Sequence, residues 1–148
     1  MPSSKRAKNK STPKLFTPQQ ANAMLPLLRS ILRDVTTLAH ELHDQQESIQ
    51  SSTAAKTALT AAHREEMVQL EAEFERGRDR MHDYLDELQN LGIELKDPFT
   101  GLVDFRAKME GREVYLCWRM DEPEVAHWHE LDKGFAGRQK LMTPASSN

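Results

Sequence analysis

The sequence predicts an α+β protein, in which a long antiparallel two-helix hairpin with coiled-coil-like spacing precedes a small three-stranded antiparallel β-meander. Two observations lead to this fold class. Apolar residues recur at steps of three and four through residues 25–42 and again through residues 67–91, which is the period of an amphipathic helix. Beyond Gly92 the pattern changes to short alternating runs, separated by turns rich in glycine, proline and aspartate.

The first helix has a clear start at Thr17. This residue can cap the helix, Pro18 suits the first helical position, and Gln20 completes a capping box. Pro26 then falls inside the apolar pattern, so it either kinks the first turns or separates a short helix from a long one. The polar run over residues 44–52 predicts that the chain turns back near residues 51–53.

The second helix is predicted from about residue 53 to residue 91. Gly77 lies in its heptad-spaced apolar stripe, where a glycine either admits a close partner helix or weakens the helix. Gly92 fits a left-handed helix end, after which Ile93 can pack back on Leu88. Two such helices joined by a short polar link predict an antiparallel hairpin.

The residues after the hairpin predict three strands in sequence. Residues 93–96 are expected to form a connector that leads into a turn at residues 97–101. The expected strands cover residues 102–107, 113–119 and 125–131, with turns at residues 109–112 and 121–124 and a glycine-bearing loop at residues 133–138. Tight turns between successive strands are typical of an antiparallel meander.

Strand alternation divides the meander into two faces. Tyr115, Cys117 and Arg119 share one face of the second strand, opposite Val114, Leu116 and Trp118. His127 and His129 share one face of the third strand, opposite Trp128 and Glu130. Local alternation leaves open which face packs against the helices, because a one-residue slip of the strand register would exchange them.

The domain boundaries follow from these elements. Residues 1–15 are expected to be a disordered basic tail, residues 16–141 one domain, and residues 142–148 a flexible tail. Within the domain, the helical hairpin covers residues 16–92, and the meander with its glycine loop covers residues 93–141.

Composition predicts a soluble cytoplasmic protein. The chain is 38% hydrophobic and 29% charged, its mean hydropathy is -0.70, and its single cysteine excludes an internal disulfide. It has no apolar run of membrane-spanning length and no apolar core of a secretory signal. Residues 1–14 are basic without an acidic residue, although the net charge of the chain is -3. This tail is the one expected contact for nucleic acid, and a weak one because it lacks an aromatic residue for base stacking.

Two histidines on the predicted third strand raise the question of a metal site. His127 and His129 stand at i and i+2, a spacing that projects both imidazoles from one face of a strand and occurs in zinc and iron sites. A third ligand could come from Asp104, Cys117 or Glu130, although alternation turns Glu130 to the other face. The competing interpretation is a hydrogen-bonding or packing pair without metal.

The same region holds candidates for catalysis and anion binding. The catalytic candidates are Asp104, Cys117, His129 and Glu130. Cys117 is either a nucleophile with a histidine base or a small buried hydrophobic residue. Arg119 and Arg138 are candidate anion ligands, and Arg138 ends a glycine-bearing loop whose backbone amides could contribute. The alternative for Arg138 is an ion pair with an acid of the sheet.

Three segments resemble a known bacterial family. The segments LFTPQQANAMLPLL, LGIELKDPFTGLVDF and GREVYLCWRMDEPEVAHWHELDKGFAGRQKL, in this order, are similar to the uncharacterised family called domain of unknown function 2203. The resemblance covers about residues 15–141. It implies no established activity. Family members often carry an aromatic residue at the position of His127, so the resemblance favours His129 and Glu130 over a two-histidine site.

The function expected from these observations is a non-enzymatic binding or scaffolding module. Its helical hairpin would contact a protein partner or a second copy of the chain. The alternative is a small metal- or anion-binding enzyme with its site on the meander. No cofactor is expected under the first hypothesis, whereas zinc or another divalent metal is expected under the alternative.

Overall fold

The computed structural model describes residues 14–54 and 60–142 and confirms the α+β class. Within these two ranges, three helices are followed by five strands, with a short 3-10 helix at Phe135–Gly137 between the last two: α1 Pro18–Ala23, α2 Leu25–Ala54, α3 Ala61–Asn90, β1 Ile93–Asp97, β2 Leu102–Met109, β3 Arg112–Arg119, β4 His127–His129 and β5 Gln139–Lys140. No helix in this part of the chain has an apolar stretch that could cross a bilayer. Residues 1–13 and 143–148, where tails were predicted, lie outside the described residues.

The helical part begins as its capping residues predict. The backbone N–H of Gln20 donates to Thr17 Oγ1 at 3.1 Å, and the backbone N–H of Thr17 donates to the side-chain oxygen Oε1 of Gln20 at 3.0 Å. A turn at Met24 then separates α1 from α2, and Pro26 lies in the first turn of α2. Because the first turn of a helix needs no backbone donor there, Pro26 fits without a break inside α2.

The two long helices form the predicted hairpin, but the predicted turn at residues 51–53 is wrong. These residues belong to α2, which ends at Ala54, and α3 begins at Ala61 rather than near residue 53. The polar run is rich in glutamine and glutamate, which have good helix propensity, so polarity alone did not end the helix. Thr60 caps α3 by accepting a hydrogen bond from the His63 amide at 3.1 Å. Residues 55–59 lie outside the described part.

Gly77 lies at a tight contact between the two helices. It is buried in α3, and a Cβ atom at this position would lie 2.7 Å from Leu42 Cδ2 of α2. This contact favours the interpretation that Gly77 admits a close partner helix over the interpretation that it only weakens α3. At the end of α3, Gly92 adopts the expected left-handed backbone with φ 85°.

In the part of the chain that the structure describes, the sheet has five strands, not the predicted three. Residues 93–96 were predicted to be a connector, but Ile93–Asp97 forms β1, which pairs with β2 and aligns Leu95 with Val103. In this segment the apolar residues Ile93 and Leu95 alternate with charged residues, which is the pattern of a strand with one exposed face. The short length and high charge of the segment made it resemble a connector. The order is β1-β2-β3-β4-β5, and every neighbouring pair is antiparallel, as in a meander.

The last two strands also differ from the prediction. β4 covers three residues of the expected strand at residues 125–131, and β5 follows the glycine-bearing loop. The 3-10 turn at Phe135–Gly137 returns the chain so that Gln139 aligns with Trp128 and Lys140 with His127. The loop at residues 133–138 therefore connects two paired strands.

One face of the sheet packs on the helices. This face carries Phe105, Leu116 and Trp118, which share a core with Leu28 and Leu32 of α2. The Trp118 indole donates to the Glu122 carbonyl at 3.1 Å, and the Arg29 guanidinium lies 5.2 Å from the ring centroid. The other face carries the histidines, since β-strand register places Tyr115 opposite His129 and Cys117 opposite His127.

Candidate functional site

The outer face of the sheet brings three polar groups from three strands together. Asp104 of β2 is directly opposite Cys117 of β3, and His129 of β4 is diagonally placed beside them. One ligand-type atom from each, an aspartate oxygen, the thiol sulfur and an imidazole nitrogen, lies within 4.8 Å of the other two. All three residues are buried. The register thus assembles a cluster that no local sequence segment contains.

Asp104 and His129 form a buried pair. His129 Nε2 lies 3.0 Å from Asp104 Oδ2, and each side chain is 3% exposed. His129 Nδ1 lies 2.7 Å from the Glu130 carbonyl oxygen, which can only accept, so Nδ1 carries a proton. A second proton must then lie between Nε2 and the carboxyl group. Burial raises the pKa of Asp104, although the charge of His129 opposes this effect.

The second oxygen of Asp104 is the unusual atom of the cluster. Asp104 Oδ1 is buried without a hydrogen-bond partner among the described residues. A buried carboxylate oxygen without a partner is costly, so native structures usually satisfy such an atom with a donor, a water or a cation. Asp104 Oδ1 therefore indicates a place where the cluster can accept a further group.

The Cys117 thiol is held in its protonated form. Burial, followed by the neighbouring Asp104 charge, raises the pKa of Cys117 from 9.0 to about 12. Because the thiolate is the reactive species, this thiol is a poor nucleophile at neutral pH. It becomes a useful ligand only where a positive charge replaces its proton.

The raised thiol pKa predicts an alkaline loss of stability. The protonated thiol stabilises the fold fully below pH 9, and this contribution is lost as pH rises toward 12. Denaturant unfolding of metal-free protein at pH 8 to 11 should show wild type losing up to about 1.4 kcal/mol per pH unit more than Cys117→Ala. Parallel curves for the two proteins over this range would contradict the assignment.

A cleft opens above the cluster. Its volume is about 250 Å³, and its floor is formed by Asp104, Cys117 and His129. Lys96 and Tyr115 form a polar wall, in which Lys96 Nζ lies 3.1 Å from Glu94 Oε1 and the Tyr115 hydroxyl donates to Glu94 Oε2 at 2.8 Å. The lining also includes two exposed apolar side chains, Leu131 at 42% and Phe135 at 40% exposure, and the exposed Lys133. The cleft thus gives solvent access to a buried polar floor.

The second histidine, His127, lies opposite Cys117 across β3 and β4 but is not one of the three clustered residues. Its Nδ1 is hydrogen-bonded to the Arg138 guanidinium. Burial, and then the charge of Arg138, lowers the pKa of His127. His127 and His129 share a face, as alternation predicts, but each has a different partner and they do not form a joint pair.

The other candidate site residues form ion pairs within the fold. Arg138 pairs with Glu122 and lies 4.5 Å from the Phe135 ring centroid. Arg119 Nε lies 2.7 Å from Asp121 Oδ1. Both guanidinium groups are thus partly neutralised by an acid of the chain. The Glu130 carboxylate pairs with Arg112, whereas its backbone carbonyl fixes the His129 ring.

Lys96, Glu94 and Tyr115 are the site residues that sequence reasoning missed. The two β1 residues were overlooked because β1 was interpreted as a connector. The alternation over residues 93–96 was the available signal, since it turns Glu94 and Lys96 away from the side of Ile93 and Leu95. Tyr115 shares a face with Cys117, but alternation alone does not distinguish a wall of a cleft from a packed surface.

Comparison with known proteins gives a family but no activity. The family model described as "Uncharacterized conserved protein (DUF2203)" matches residues 14–141, most of the chain. No curated protein and no solved structure matches the chain. The matched region contains the hairpin, the sheet and every residue of the cluster. The chain therefore belongs to the DUF2203 family of uncharacterised conserved proteins.

Proposed function

We propose that this chain is a binding module whose ligand is a divalent transition-metal ion of the zinc type, held by Asp104, Cys117 and His129. The observation that carries the proposal is the buried Asp104 carboxyl group, which has one oxygen without a hydrogen-bond partner among the described residues and lies beside a thiol and an imidazole nitrogen in the lining of a cleft. Aspartate oxygen, cysteine sulfur and histidine nitrogen together form a donor set that suits zinc.

The distances in the cluster support this ligand. Zinc bonds of about 2.0–2.3 Å at tetrahedral angles separate neighbouring ligand atoms by roughly 3.3–3.6 Å. The three ligand-type atoms lie within 4.8 Å of one another, and the imidazole nitrogen and carboxylate oxygen are 3.0 Å apart. Small side-chain rotations would bring the three atoms to the required spacing.

The hydrogen bonds of His129 support the same arrangement. A metal-bound histidine commonly donates its other ring N–H to a carbonyl or carboxylate, which fixes the tautomer and the ring plane. The His129 Nδ1–H donates to the Glu130 carbonyl and leaves Nε2 directed at Asp104. In this tautomer the Nε2 lone pair is available once a cation replaces the proton that it shares with Asp104.

Charge balance supports a divalent ion. Binding would displace the thiol proton and the proton shared by Asp104 and His129, and the resulting thiolate and carboxylate would neutralise the two positive charges. Metal affinity should therefore rise with pH. Three protein ligands leave a fourth position that faces the cleft, which supports the alternative of a small metal enzyme with a water at that position.

The experiment is loading of the purified full chain with Co²⁺ as a spectroscopic substitute for Zn²⁺, together with elemental analysis after Zn²⁺ loading. One equivalent of metal and a thiolate-to-cobalt charge-transfer band are expected for wild type. Cys117→Ser should lose the band, and Asp104→Asn and His129→Gln should weaken binding roughly 100-fold or more. Far-UV circular dichroism checks that each variant is folded.

The matched control is His127→Gln, because His127 lies two residues from His129 on the same strand face and outside the cluster. This variant should keep the charge-transfer band and bind metal within about threefold of wild type, since it removes no proposed ligand. Loss of binding in His127→Gln together with normal binding in Asp104→Asn would overturn the ligand set. Wild type without stoichiometric metal and without the cobalt band would overturn the proposal itself.

A further inference from the structure

The distal half of the helical hairpin lacks a core of its own. Among the described residues, Ala39 is the last buried apolar side chain of α2, and Leu88 is the first in α3. Leu42 and Ile49 of α2 and Leu70 and Phe74 of α3 are only partly buried. A pair of helices leaves part of each apolar stripe in water, whereas a four-helix arrangement encloses it. The hairpin therefore presents an apolar surface that a further helical pair would cover.

One flank of α3 carries an ordered set of side chains along this surface. It consists of Met67, Glu71, Phe74, Arg78 and Met81, at steps of four, three, four and three residues. Steps of this kind keep side chains on one side of a helix. Phe74, Arg78 and Met81 indeed line the same cleft. We call these five residues the α3 stripe.

The α3 stripe is complementary to the same stripe on a second, antiparallel copy of α3. Read from Met81 back to Met67, it again gives an apolar residue, a charged residue, Phe74, a charged residue and an apolar residue, but with the two charges exchanged. An antiparallel copy centred on Phe74 would thus place Glu71 opposite Arg78 twice and a methionine opposite a methionine twice. A two-fold interface needs this self-complementarity.

From this pattern we infer that α3 pairs with the α3 of a second copy of this chain, antiparallel and about a two-fold axis at Phe74. Each Glu71 faces the partner's Arg78, and each Met67 faces the partner's Met81. Charges at the flank of a helical interface select partner and orientation in this way. The resulting dimer has a four-helix bundle, formed by the two long helices of each chain, and each chain also contributes its own sheet.

The surroundings of the α3 stripe have room for the second helix. A cleft of about 490 Å³ lies between Met81, Leu42 of α2 and Phe99 of the β1–β2 turn, and Phe99 is 43% exposed. In the inferred orientation, the partner's Met67 lies over this cleft. Arg78 is available for a new contact, because its side chain is 53% exposed and its Nη1 lies 3.9 Å from Glu75 Oε1.

The test uses charge exchange in the full chain, with size-exclusion chromatography and multi-angle light scattering as the readout. Wild type is expected to be a dimer. Glu71→Arg and Arg78→Glu each create two like-charge contacts and should weaken the dimer about tenfold or more. The double variant Glu71→Arg/Arg78→Glu restores opposite charges and should return to the affinity of wild type.

Mixing the two single variants gives the sharpest measurement. A chain with two arginines and a chain with two glutamates are complementary in the inferred register, so their mixture should form a heterodimer although each alone dissociates. Arg76→Glu is the matched control, because Arg76 is exposed on the opposite flank of α3, and it should leave the dimer unchanged. A monomeric wild type, or single variants that dimerise as wild type does, would overturn the inference.

Discussion

Replacement of His129 by alanine is expected to lower the free energy of unfolding by about 3–5 kcal/mol in metal-free protein at neutral pH. The change removes the His129 hydrogen bond to Asp104 Oδ2, in a side chain that is 3% exposed and whose other oxygen has no hydrogen-bond partner among the described residues. An uncompensated buried charge is more costly than the lost contact itself. Urea denaturation followed by circular dichroism measures the loss.

Two further variants test whether the loss of stability comes from breaking the Asp104–His129 pair or from any substitution near β4. Glu130→Ala changes the neighbouring residue, whose carboxylate forms an exposed ion pair with Arg112, and should cost less than about 1 kcal/mol. The double variant Asp104→Val/His129→Leu removes both members of the pair and should unfold within about 1 kcal/mol of wild type, because no buried charge remains. A double variant less stable than His129→Ala would contradict this account of the pair.

Trp118→Ala should lower the free energy of unfolding by about 3–5 kcal/mol. Trp118 has no exposed surface, so the change leaves a large cavity between the sheet and α2. It also removes the donor to the Glu122 carbonyl and the ring beneath the Arg29 guanidinium, two contacts that fix the β3–β4 connection. Chemical denaturation of both proteins measures the difference.

Trp128 is the control for this prediction, since it is the second tryptophan of the same sheet. It is only partly buried at the edge of the core and lies 5.6 Å from the Arg112 guanidinium. Trp128→Ala should cost about 1–2 kcal/mol, because part of its surface is already in contact with water. Equal losses for the two tryptophan variants would show that burial does not determine their contributions.

The helical half of the fold could be predicted because its signals are local. Thr17, Pro18 and Gln20 form a capping box within four residues, and Gly92 ends a helix through its own backbone conformation. The turn of the hairpin could not be placed, because the polar residues before it are also good helix formers. Strand β1 was missed for a related reason, since a five-residue run with charged alternate positions also resembles a connector.

The candidate site could be predicted only as a set of residues. The sequence already contained Asp104, Cys117 and His129 as candidates, but it paired His129 first with His127. The structure places His127 beside Arg138 and Asp104 beside His129, 25 residues apart in the chain. This choice depends on cross-strand register, which pairs β2 with β3 and β3 with β4.

The sequence by itself determined the α+β class, the helical hairpin and the division of each strand into two faces, because these follow from residue spacing and capping within short segments. Only the tertiary structure decided which face is covered. Leu116 and Cys117 are adjacent apolar residues that are both buried, so their local pattern suits either orientation. Packing of Phe105 and Trp118 on α2 turned Asp104 and His129 to the opposite side, where the β2–β3–β4 register assembled the polar cluster beneath an open cleft.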